Sequence, residues 1–350
     1  MEKIIVGVIF GGCSNEYEVS LQSAYSVITH MDPAKYEKVL IGITKEGRWY
    51  RFQGSVENIL NNTWWSDEAN CIPAFFSPNR YMNYLLENQN GHITETMIDI
   101  VFPVLHGKNG EDGTLQGYLE LAGIPYVGCD ILSSALCMDK DRAHRVVALE
   151  GINTPASIVF SRSQLIEEIV TQTSQLHLPL FVKPVKSGSS IGITLVNEKE
   201  ELPSAVAEAF SHDERIIIEE FIEGFEVGCA ILGNDELIVG EVDEIELETG
   251  YFDFNEKYTL TTSIIHMPAR IDHDMTAKVK DTAIQIYRAL GCSGLARVDM
   301  FITPNGDIVF NEVNTFPGFT DHSRYPNMMK GIGLTFSDII EHLIQLGLER

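Results

Sequence analysis

Asp299 and Glu312 are the residues of this chain best suited to hold a cation. The stretch 297–314, RVDMFITPNGDIVFNEVN, predicts a β-hairpin in which these two carboxylates face each other. Like charges directly opposite one another destabilise a sheet, so the pair needs a proton or a cation between them. Mg²⁺ fits this role, because it binds through one or two carboxylates together with substrate phosphates.

The register of this hairpin is counted from its turn. The Asn-Gly pair at 305–306 is typical of a tight two-residue turn, which would place Pro304 opposite Asp307. Counting outward gives the facing carboxylates and sets Arg297 opposite Asn314, on the same face. The apolar residues fall on the other face, which favours a metal site over the alternative of a solvated face with lysines nearby. They are Val298, Met300, Val309 and Val313.

Two further stretches carry groups that could bind a nucleotide. Lys183 ends a predicted strand in VKPVKSGSSIG and precedes a Gly/Ser loop at 186–192, which could lay backbone N–H groups over a polyphosphate. The Walker A pattern is absent, and a hairpin loop with a chance lysine is the alternative. In IIIEEFIEGFEVG, the carboxylates of Glu219, Glu220 and Glu226 could accept hydrogen bonds from adenine or ribose, or could form a solvated strand edge.

Two loops in the N-terminal part carry polar residues directly after buried strands. Glu16 lies in FGGCSNEYEVS, and His106 begins HGKNGEDGTLQG. Ligands bind at the carboxyl ends of parallel strands in α/β proteins, so the two loops together predict a binding cleft. A purely structural role is the alternative for the single histidine.

These residues require a framework of strands and helices. Apolar runs at 4–10, 98–105 and 124–127 predict short buried strands of a parallel sheet, separated by helical patterns. Residues 50–95 show no clear periodicity. The first predicted domain is therefore an α/β unit spanning residues 1–127.

Two smaller domains are predicted at 128–215 and 216–350. The first should contain one helix over 133–152 and two strands joined by the Gly/Ser loop over 178–196. The second should contain, in order, a strand from 216, a hairpin at 233–235, a loop at 246–262, a long helix at 273–290 and the final hairpin.

The charge balance excludes several classes of partner. With 25 Lys and Arg against 50 Asp and Glu, the formal net charge is −25, which repels nucleic acids and anionic membranes. The six cysteines form no CxxC pair, which argues against a zinc ribbon or a disulfide scaffold. No apolar run is long enough to span a membrane, and the N-terminus resembles a strand more than a signal peptide. We expect a cytoplasmic protein without nucleic-acid or membrane partners.

Seven motifs occur in the order and spacing of one known family. They are GGCSNEYEVS, HGKNGEDGTLQG, MDKDRAH, KPVKSGSSIG, EKYTL, RVDM and NEVNTFPGFTDHSR. In these motifs, and over essentially its whole length, the chain resembles the D-alanine:D-alanine ligase family of the ATP-grasp superfamily. In detail it is similar to the VanG-type D-alanine:D-serine ligases of vancomycin resistance. The resemblance implies a three-lobed ATP-grasp fold of α/β (α+β) class with an N-terminal parallel-sheet domain, and a homodimer.

The resemblance assigns roles on the nucleotide side. Asp299, Glu312 and Asn314 match the family's magnesium ligands, for two Mg²⁺ ions with Mn²⁺ as an alternative. The residues that match positions around ATP are Lys140 and Lys183 at the phosphates, Glu219 and Glu226 at adenine and ribose, and Lys257 in a lid loop. Glu220 departs from the pattern, because many relatives have lysine there.

The resemblance also assigns roles on the substrate side. Glu16 matches the acid that binds the ammonium group of the first D-alanine, and Ser189 and Tyr258 match the residues hydrogen-bonded with it. Arg297 matches the arginine that stabilises the tetrahedral intermediate, and Ser323 matches the residue that binds the carboxylate of the second substrate. His106 and Gly318 also belong to the predicted substrate site.

Arg324 is expected to decide the product. This position is typically leucine in D-alanine:D-alanine ligases, and an arginine can donate to a substrate hydroxyl where leucine can only pack. Phe252 in the lid resembles the aromatic residue that lines this pocket in the D-serine branch. The chain is therefore expected to use ATP to join D-alanine to D-serine through an acyl phosphate.

Two alternatives stay open. The first is a D-alanine:D-alanine ligase in which Arg324 pairs with a nearby acid such as Asp321. The second is a nucleotide-binding regulator that kept the fold and lost catalysis. The general base is also open, with Ser189 and Tyr258 as candidates.

Overall fold

The computed structural model describes residues 2–80, 82–188, 191–247 and 263–350. These residues form three β-sheets with helices packed against them, which confirms the predicted α/β class. The strands are β1 (Ile4–Gly11), β2 (Tyr36–Ile43), β3 (Trp49–Phe52), β4 (Cys71–Phe76), β5 (Tyr84–Gln89), β6 (His92–Met97), β7 (Ile100–Val104), β8 (Ser157–Ser161), β9 (Leu180–Pro184), β10 (Thr194–Val196), β11 (Arg215–Glu220), β12 (Phe225–Gly233), β13 (Leu237–Leu247), β14 (Ser263–His266), β15 (Gly294–Ile302) and β16 (Ile308–Asn314). The α-helices are α1 (Tyr17–His30), α2 (Val56–Leu60), α3 (Thr114–Ala122), α4 (Ile131–Met138), α5 (Lys140–Leu149), α6 (Ile166–Thr173), α7 (Leu202–His212), α8 (His273–Ala289), α9 (Arg324–Gly331) and α10 (Phe336–Leu348).

The first sheet is parallel only at its centre. Its order is β6-β5-β4-β3-β2-β1-β7, and β2, β1 and β7 run parallel while β3 to β6 add an antiparallel extension. That extension accounts for residues 50–95, which the sequence left without an assignment. The strand predicted at 124–127 is wrong, because Tyr126 makes a single bridge to Val101 and Pro125 has no N–H for a ladder.

The second sheet has the order β10-β9-β11-β8 and contains the two strands predicted over 178–196. Strand β11 belongs to this sheet and ends at Glu220, five residues past the predicted domain boundary at residue 215. The domain boundaries remain predictions. The single helix predicted over 133–152 is wrong. Asp139 has an extended backbone, with ψ of 97°, and its side chain accepts a hydrogen bond from the Arg142 N–H, so it ends α4 and caps α5.

The third sheet has the order β14-β13-β12-β15-β16 and ends in the predicted final hairpin. The turn of this hairpin has three residues instead of two. The Thr303 N–H bonds the Asp307 carbonyl, and Gly306 takes a positive φ of 80°. A three-residue loop with glycine in the left-handed region is a standard hairpin alternative. The predicted pairing of Pro304 with Asp307 is therefore wrong by one residue.

A β-bulge restores the predicted register at the acidic pair. Met300 pairs with Phe310, whereas Asp299 pairs with Glu312, so Asn311 is the extra residue of β16. The facing carboxylates and the pairing of Arg297 with Asn314 are confirmed, although two one-residue deviations cancel to give them. The longer turn also makes one detail of the prediction wrong. Residues between the turn and the bulge are shifted by one position, so Phe310 lies in the core beneath the sheet and Val309 pairs with Phe301.

The loop after β16 packs against the first sheet, so the acidic hairpin and the N-terminal loops share one core. Phe102 of β7 contacts Phe316 and Phe319 of this loop, with ring centroids 6.1 and 6.2 Å apart. Helix α10 adds Leu343 and Ile344 to the same cluster. No helix among the described residues is long and apolar enough to cross a membrane.

The packing of Trp64 predicts a large effect of a small change at Gly42. Trp64 is fully buried, donates from Nε1 to the Tyr17 hydroxyl, and lies on the Gly42 backbone of β2. A Cβ at residue 42 would collide with the Trp64 ring and lie 2.9 Å from Phe10. We expect Gly42→Ala to lower the free energy of unfolding by about 1–3 kcal/mol, measured by urea denaturation.

Gly117→Ala in α3 is the matched control. The added Cβ meets only Ile131, at 3.8 Å, and alanine favours a helix over glycine by up to about 1 kcal/mol. This variant should be as stable as the parent or more stable. Equal stability of the two variants would contradict the packing argument.

Candidate active site

A cavity of about 370 Å³ lies where the three sheets meet. It collects nine of the residues that the sequence singled out, from the N-terminal loops, α5, the final hairpin and the loop and helix that follow it. They are Glu16, His106, Lys140, Arg297, Glu312, Asn314, Gly318, Ser323 and Arg324. A second cavity of about 470 Å³ lies within the first lobe and is mainly apolar, so the polar cavity is the better candidate for chemistry.

Asp299 is buried at the base of this cavity, surrounded by hydrogen-bond donors. Arg297 donates to both of its carboxylate oxygens, from Nε and Nη2, at 2.7 Å each. Asn314 donates from Nδ2 to Asp299 Oδ2 at 2.9 Å, and Arg324 Nη2 lies 3.6 Å from Oδ1. Burial disfavours the charged form of Arg297, but the Asp299 carboxylate outweighs this effect and raises the arginine's pKa.

Glu312 is compensated by a lysine from another lobe. Lys140 is the first residue of α5 and is 8% exposed; its Nζ lies 3.7 Å from Glu312 Oε2 and donates to the Ser187 carbonyl at 2.7 Å. One ammonium group therefore connects the Gly/Ser loop with the acidic hairpin.

The residues of the hairpin fit a hard divalent cation. Asp299 and Glu312 supply carboxylate oxygens from adjacent strands, and Asn314 keeps its amide oxygen because it uses its nitrogen toward Asp299. Within 2–80, 82–188, 191–247 and 263–350, no cluster of three or more His, Cys, Asp or Glu side chains could hold a metal ion. The predicted set contains only two carboxylates and depends on the amide for its third ligand.

Arg324 is held in place by two acids. Its Nε and Nη2 donate to the two oxygens of Asp243 at 2.7 Å each, and its Nη1 donates to Glu226 Oε1 at 3.2 Å. These hydrogen bonds use three of the five N–H groups of the guanidinium. Asp321, the acid suggested by the sequence, pairs instead with Lys330.

Ser323 and Gly318 lie beside Arg324 at the wall of the cavity. Ser323 is the N-cap of α9, and its Oγ accepts a hydrogen bond from the Thr320 N–H at 3.0 Å. A helix N-terminus favours an anionic group, so this corner could bind a carboxylate.

The predicted nucleotide residues form a second polar group in the central lobe. Lys183 Nζ donates to Glu219 Oε2 at 2.6 Å, and both side chains are buried. Burial raises the pKa of Glu219, but Lys183 and His144 outweigh it and hold the pKa below its usual value. Glu220 accepts hydrogen bonds from the backbone and ring of His177 and does not join this pair. Glu226 instead accepts a hydrogen bond from Arg324.

Glu16 lies between two glycine backbones from different lobes. A Cβ at Gly107 would collide with Glu16 Oε2, and a Cβ at Gly188 would lie 3.0 Å from the same atom. The loop of Glu16 is fixed by Ser14, whose hydroxyl donates to the His106 carbonyl and accepts from the Glu16 N–H. The two N-terminal loops therefore meet, as their positions in the sequence predicted.

His106 holds the loop after β16 and is 3% exposed. Its Nδ1 bonds the Phe316 carbonyl at 2.9 Å, and its Nε2 lies 3.0 Å from the Ser23 hydroxyl. Burial lowers the pKa of the ring, despite the opposing effects of Glu16 and the Phe316 carbonyl, and favours the neutral form. Both ring nitrogens are used within the protein, so the geometry favours a structural role beside the substrate site.

Glu111 joins the same two loops and was missed by the sequence analysis. Its Oε2 accepts from the Gly107 N–H at 2.7 Å, and its Oε1 accepts from the Phe316 N–H at 2.8 Å. Burial and the neighbouring Glu16 raise its pKa to about 8, against the effect of the two N–H donors. A carboxylate inside a glycine-rich turn, at GEDG, was the available signal.

Four predicted site residues lie outside the described residues. They are Ser189, Phe252, Lys257 and Tyr258. Asp243 was missed as well, because its partner Arg324 is 81 positions away in the sequence.

Comparison with known proteins gives a consistent family assignment. Residues 5–129 match the model of the D-ala D-ala ligase N-terminus, and residues 146–345 match that of the D-ala D-ala ligase C-terminus. Among solved structures, the VanG D-Ala:D-Ser ligase from Enterococcus faecalis is 58% identical with a TM-score of 0.92, covering 99% of this chain and 100% of that chain.

Curated relatives carry both resistance and ligase names. The vancomycin B-type resistance protein VanB of Enterococcus faecalis is 46% identical over 100% of both chains. The D-alanine–D-alanine ligase of Caldicellulosiruptor bescii is 44% identical over 100% of this chain and 96% of its own. These two relatives are therefore similar to this chain to nearly the same degree.

The raised pKa of Glu111 predicts a pH dependence of stability. Glu111 ionises near its ordinary value of 4.5 when unfolded and near 8 when folded, so the folded protein retains a proton between these values. Its contribution to stability is complete below about pH 4.5 and is lost as the pH rises toward 8. As the pH rises from about 4.5 to 8, the free energy of unfolding of the ligand-free protein should fall less steeply in Glu111→Gln than in the parent. Urea denaturation at a series of pH values measures this difference.

Glu95→Gln, an exposed change on β6, is the control and should keep the parent's pH dependence. A parallel pH dependence in Glu111→Gln and the parent would show that Glu111 does not take up the proton.

Proposed function

The chain belongs to the D-alanine:D-alanine ligase family, and from this premise we propose that this ATP-dependent ligase joins D-alanine to D-serine. The observation that carries the proposal is the placement of Arg324. Its guanidinium is fixed by Asp243 at the wall of the cavity, beside Ser323 at the N-terminus of α9. A rigid donor next to a carboxylate-binding corner suits a second substrate that carries a hydroxyl group.

Phosphoryl transfer is the first step of the proposed mechanism. Glu16 binds the ammonium group of the first D-alanine, whose carboxylate attacks the γ-phosphate of ATP, forming an acyl phosphate and releasing ADP. Lys140 and Lys183 supply positive charge for the phosphates, so catalysis here depends on positioning and electrostatics. When bound by Asp299, Glu312 and Asn314, Mg²⁺ neutralises phosphate charge. Family members generally use Mg²⁺. The number of two ions in the site of this chain is part of the proposal.

Amide formation is the second step. Ser323 and the N-terminus of α9 bind the carboxylate of D-serine, and Arg324 donates to its hydroxyl group. The ammonium group of D-serine loses a proton to a general base, for which Ser189 and Tyr258 are candidates. The amine then attacks the acyl phosphate, Arg297 stabilises the developing oxyanion, and phosphate leaves. The product would be D-alanyl-D-serine, which supports an altered peptidoglycan precursor and resistance to vancomycin. The homodimer remains a prediction. The same holds for the roles assigned to Ser189, Phe252, Lys257 and Tyr258.

The second candidate is a D-alanine:D-alanine ligase. It is favoured by the hydrogen bonds of Arg324 to Asp243 and Glu226, which would keep the arginine in place without any substrate hydroxyl. In that case Arg324 would shape the pocket and leave the choice of product to other residues.

A direct competition separates the two candidates. Purified protein is incubated with MgATP and equal concentrations of D-alanine and D-serine, and the dipeptides are separated by mass spectrometry. Mostly D-alanyl-D-serine supports the proposal, whereas mostly D-alanyl-D-alanine supports the second candidate. The absence of any dipeptide would contradict both.

Arg324→Leu tests the residue that carries the proposal. Loss of the donor to the hydroxyl should shift the product ratio toward D-alanyl-D-alanine by about tenfold or more, since a charged hydrogen bond contributes on the order of 1.5–3 kcal/mol. The same competition assay measures the ratio.

Asp321→Asn is the control for this variant. It removes the acid that pairs with Lys330 and leaves the contacts of Arg324 unchanged, so it should keep the parent's ratio. An unchanged ratio in Arg324→Leu would refute the role of the arginine in selecting D-serine.

A further inference from the structure

His144 lies at the junction of the nucleotide residues and the acidic hairpin. It is one helical turn after Lys140 on α5, is 5% exposed, and packs edge-on against Phe310 with ring centroids 5.4 Å apart. Its Nε2 bonds the carbonyl of Asn311, the extra residue of the β-bulge, at 2.9 Å. A carbonyl only accepts hydrogen bonds, so Nε2 carries a proton.

The other ring nitrogen faces an acid. His144 Nδ1 lies 3.5 Å from Glu219 Oε1, and neither atom has a hydrogen-bond partner elsewhere in the described part of the chain. Glu219 Oε2 is bonded to Lys183 at 2.6 Å, so the carboxylate is ionised and offers only lone pairs. A bare lone pair on Nδ1 would face another lone pair inside a buried site, which is costly. A proton on Nδ1 would turn this contact into an ion pair.

This arrangement matters when the phosphates of ATP are present. Lys183 has three N–H donors and can direct some of them to a phosphate, but each movement of its Nζ toward the phosphate lengthens the 2.6 Å hydrogen bond to Glu219. If Lys183 turned away, Glu219 would lose its hydrogen-bonded counter-ion, and the loss of one partner of a buried ion pair is strongly destabilising. The His144 ring lies 3.5 Å from Glu219 and, like Lys140, is placed to counter the charge of Glu219 once it carries a second proton.

We propose that His144 is a positioning residue that holds Glu219 as a second counter-ion and so releases Lys183 for the nucleotide. The same ring holds the Asn311 carbonyl at the bulge that sets Glu312 opposite Asp299. One side chain therefore couples the nucleotide residues of the central lobe to the acidic hairpin. The inference rests on the proposed nucleotide role of Lys183 and Glu219.

Two substitutions separate the charge of His144 from its structural contact. His144→Gln retains an N–H for the Asn311 carbonyl but brings no charge to Glu219, whereas His144→Phe retains the packing on Phe310 and loses both contacts. Steady-state kinetics give KM for ATP, KM for D-alanine and kcat, and thermal denaturation gives Tm. His273→Gln, exposed on α8, is the matched control.

The expected result is a selective effect on ATP. Both variants should raise KM for ATP by about tenfold, as expected for the loss of one charged contact, with KM for D-alanine within about twofold of the parent. His144→Gln should keep a Tm close to that of the parent. A parent-like KM for ATP in folded His144→Gln would overturn the proposal.

A double-mutant cycle with Glu219→Gln tests whether His144 acts through Glu219. Once the charge of Glu219 is removed, His144→Gln should add little to KM for ATP, so the two effects should be strongly non-additive. Additive effects would overturn the inference and leave the proposed function intact. An unchanged KM for ATP in Glu219→Gln alone would instead overturn the nucleotide assignment itself, and the role of His144 with it.

Discussion

The structure depends on the neutralisation of acids that are buried close together in a strongly acidic chain. Asp299 lies opposite Glu312, and Asp243 lies near Asp299 because Arg324 contacts both acids. A basic side chain pairs with each of these acids, and one of them, Lys140, comes from a different lobe. Ion pairs of this kind contribute little net stability when complete, yet removal of one partner costs several kcal/mol. The charges that prepare the site for ATP therefore also fix the lobes relative to one another.

The sequence predicted the parts of the structure that depend on local patterns. The β15–β16 hairpin, the central parallel strands and the helix at 273–290 each follow from periodicity or turn residues within a short window. The two-residue turn was predicted wrongly, because Asn-Gly also fits the end of a three-residue loop. The single helix over 133–152 was wrong because Asp139 prefers to cap, and a one-residue cap does not disturb the apolar pattern around it.

The contacts that give the site its geometry are long-range and could not be counted from the sequence. Asp243 reaches Arg324 only because β13 and α9 pack together, and Glu111 bridges the loops after β7 and β16 only because both loops meet in the folded chain. The resemblance supplied the identities of many site residues. It did not supply the acids that orient them, and those acids make the guanidinium of Arg324 a rigid donor instead of a mobile one.

The hairpin has a consequence for the way in which this region can change in evolution. The three-residue turn shifts the pairing of β15 and β16 by one position, and the bulge at Asn311 shifts it back before Glu312. Because Asn311 is the extra residue, its deletion alone would leave Phe310 opposite Met300 and Glu312 opposite Asp299 on a regular ladder. Likewise, the turn can lose one of residues 304–306 without moving the pair of Thr303 and Asp307. Related genes can therefore differ in length at these two places independently while the facing carboxylates keep their register.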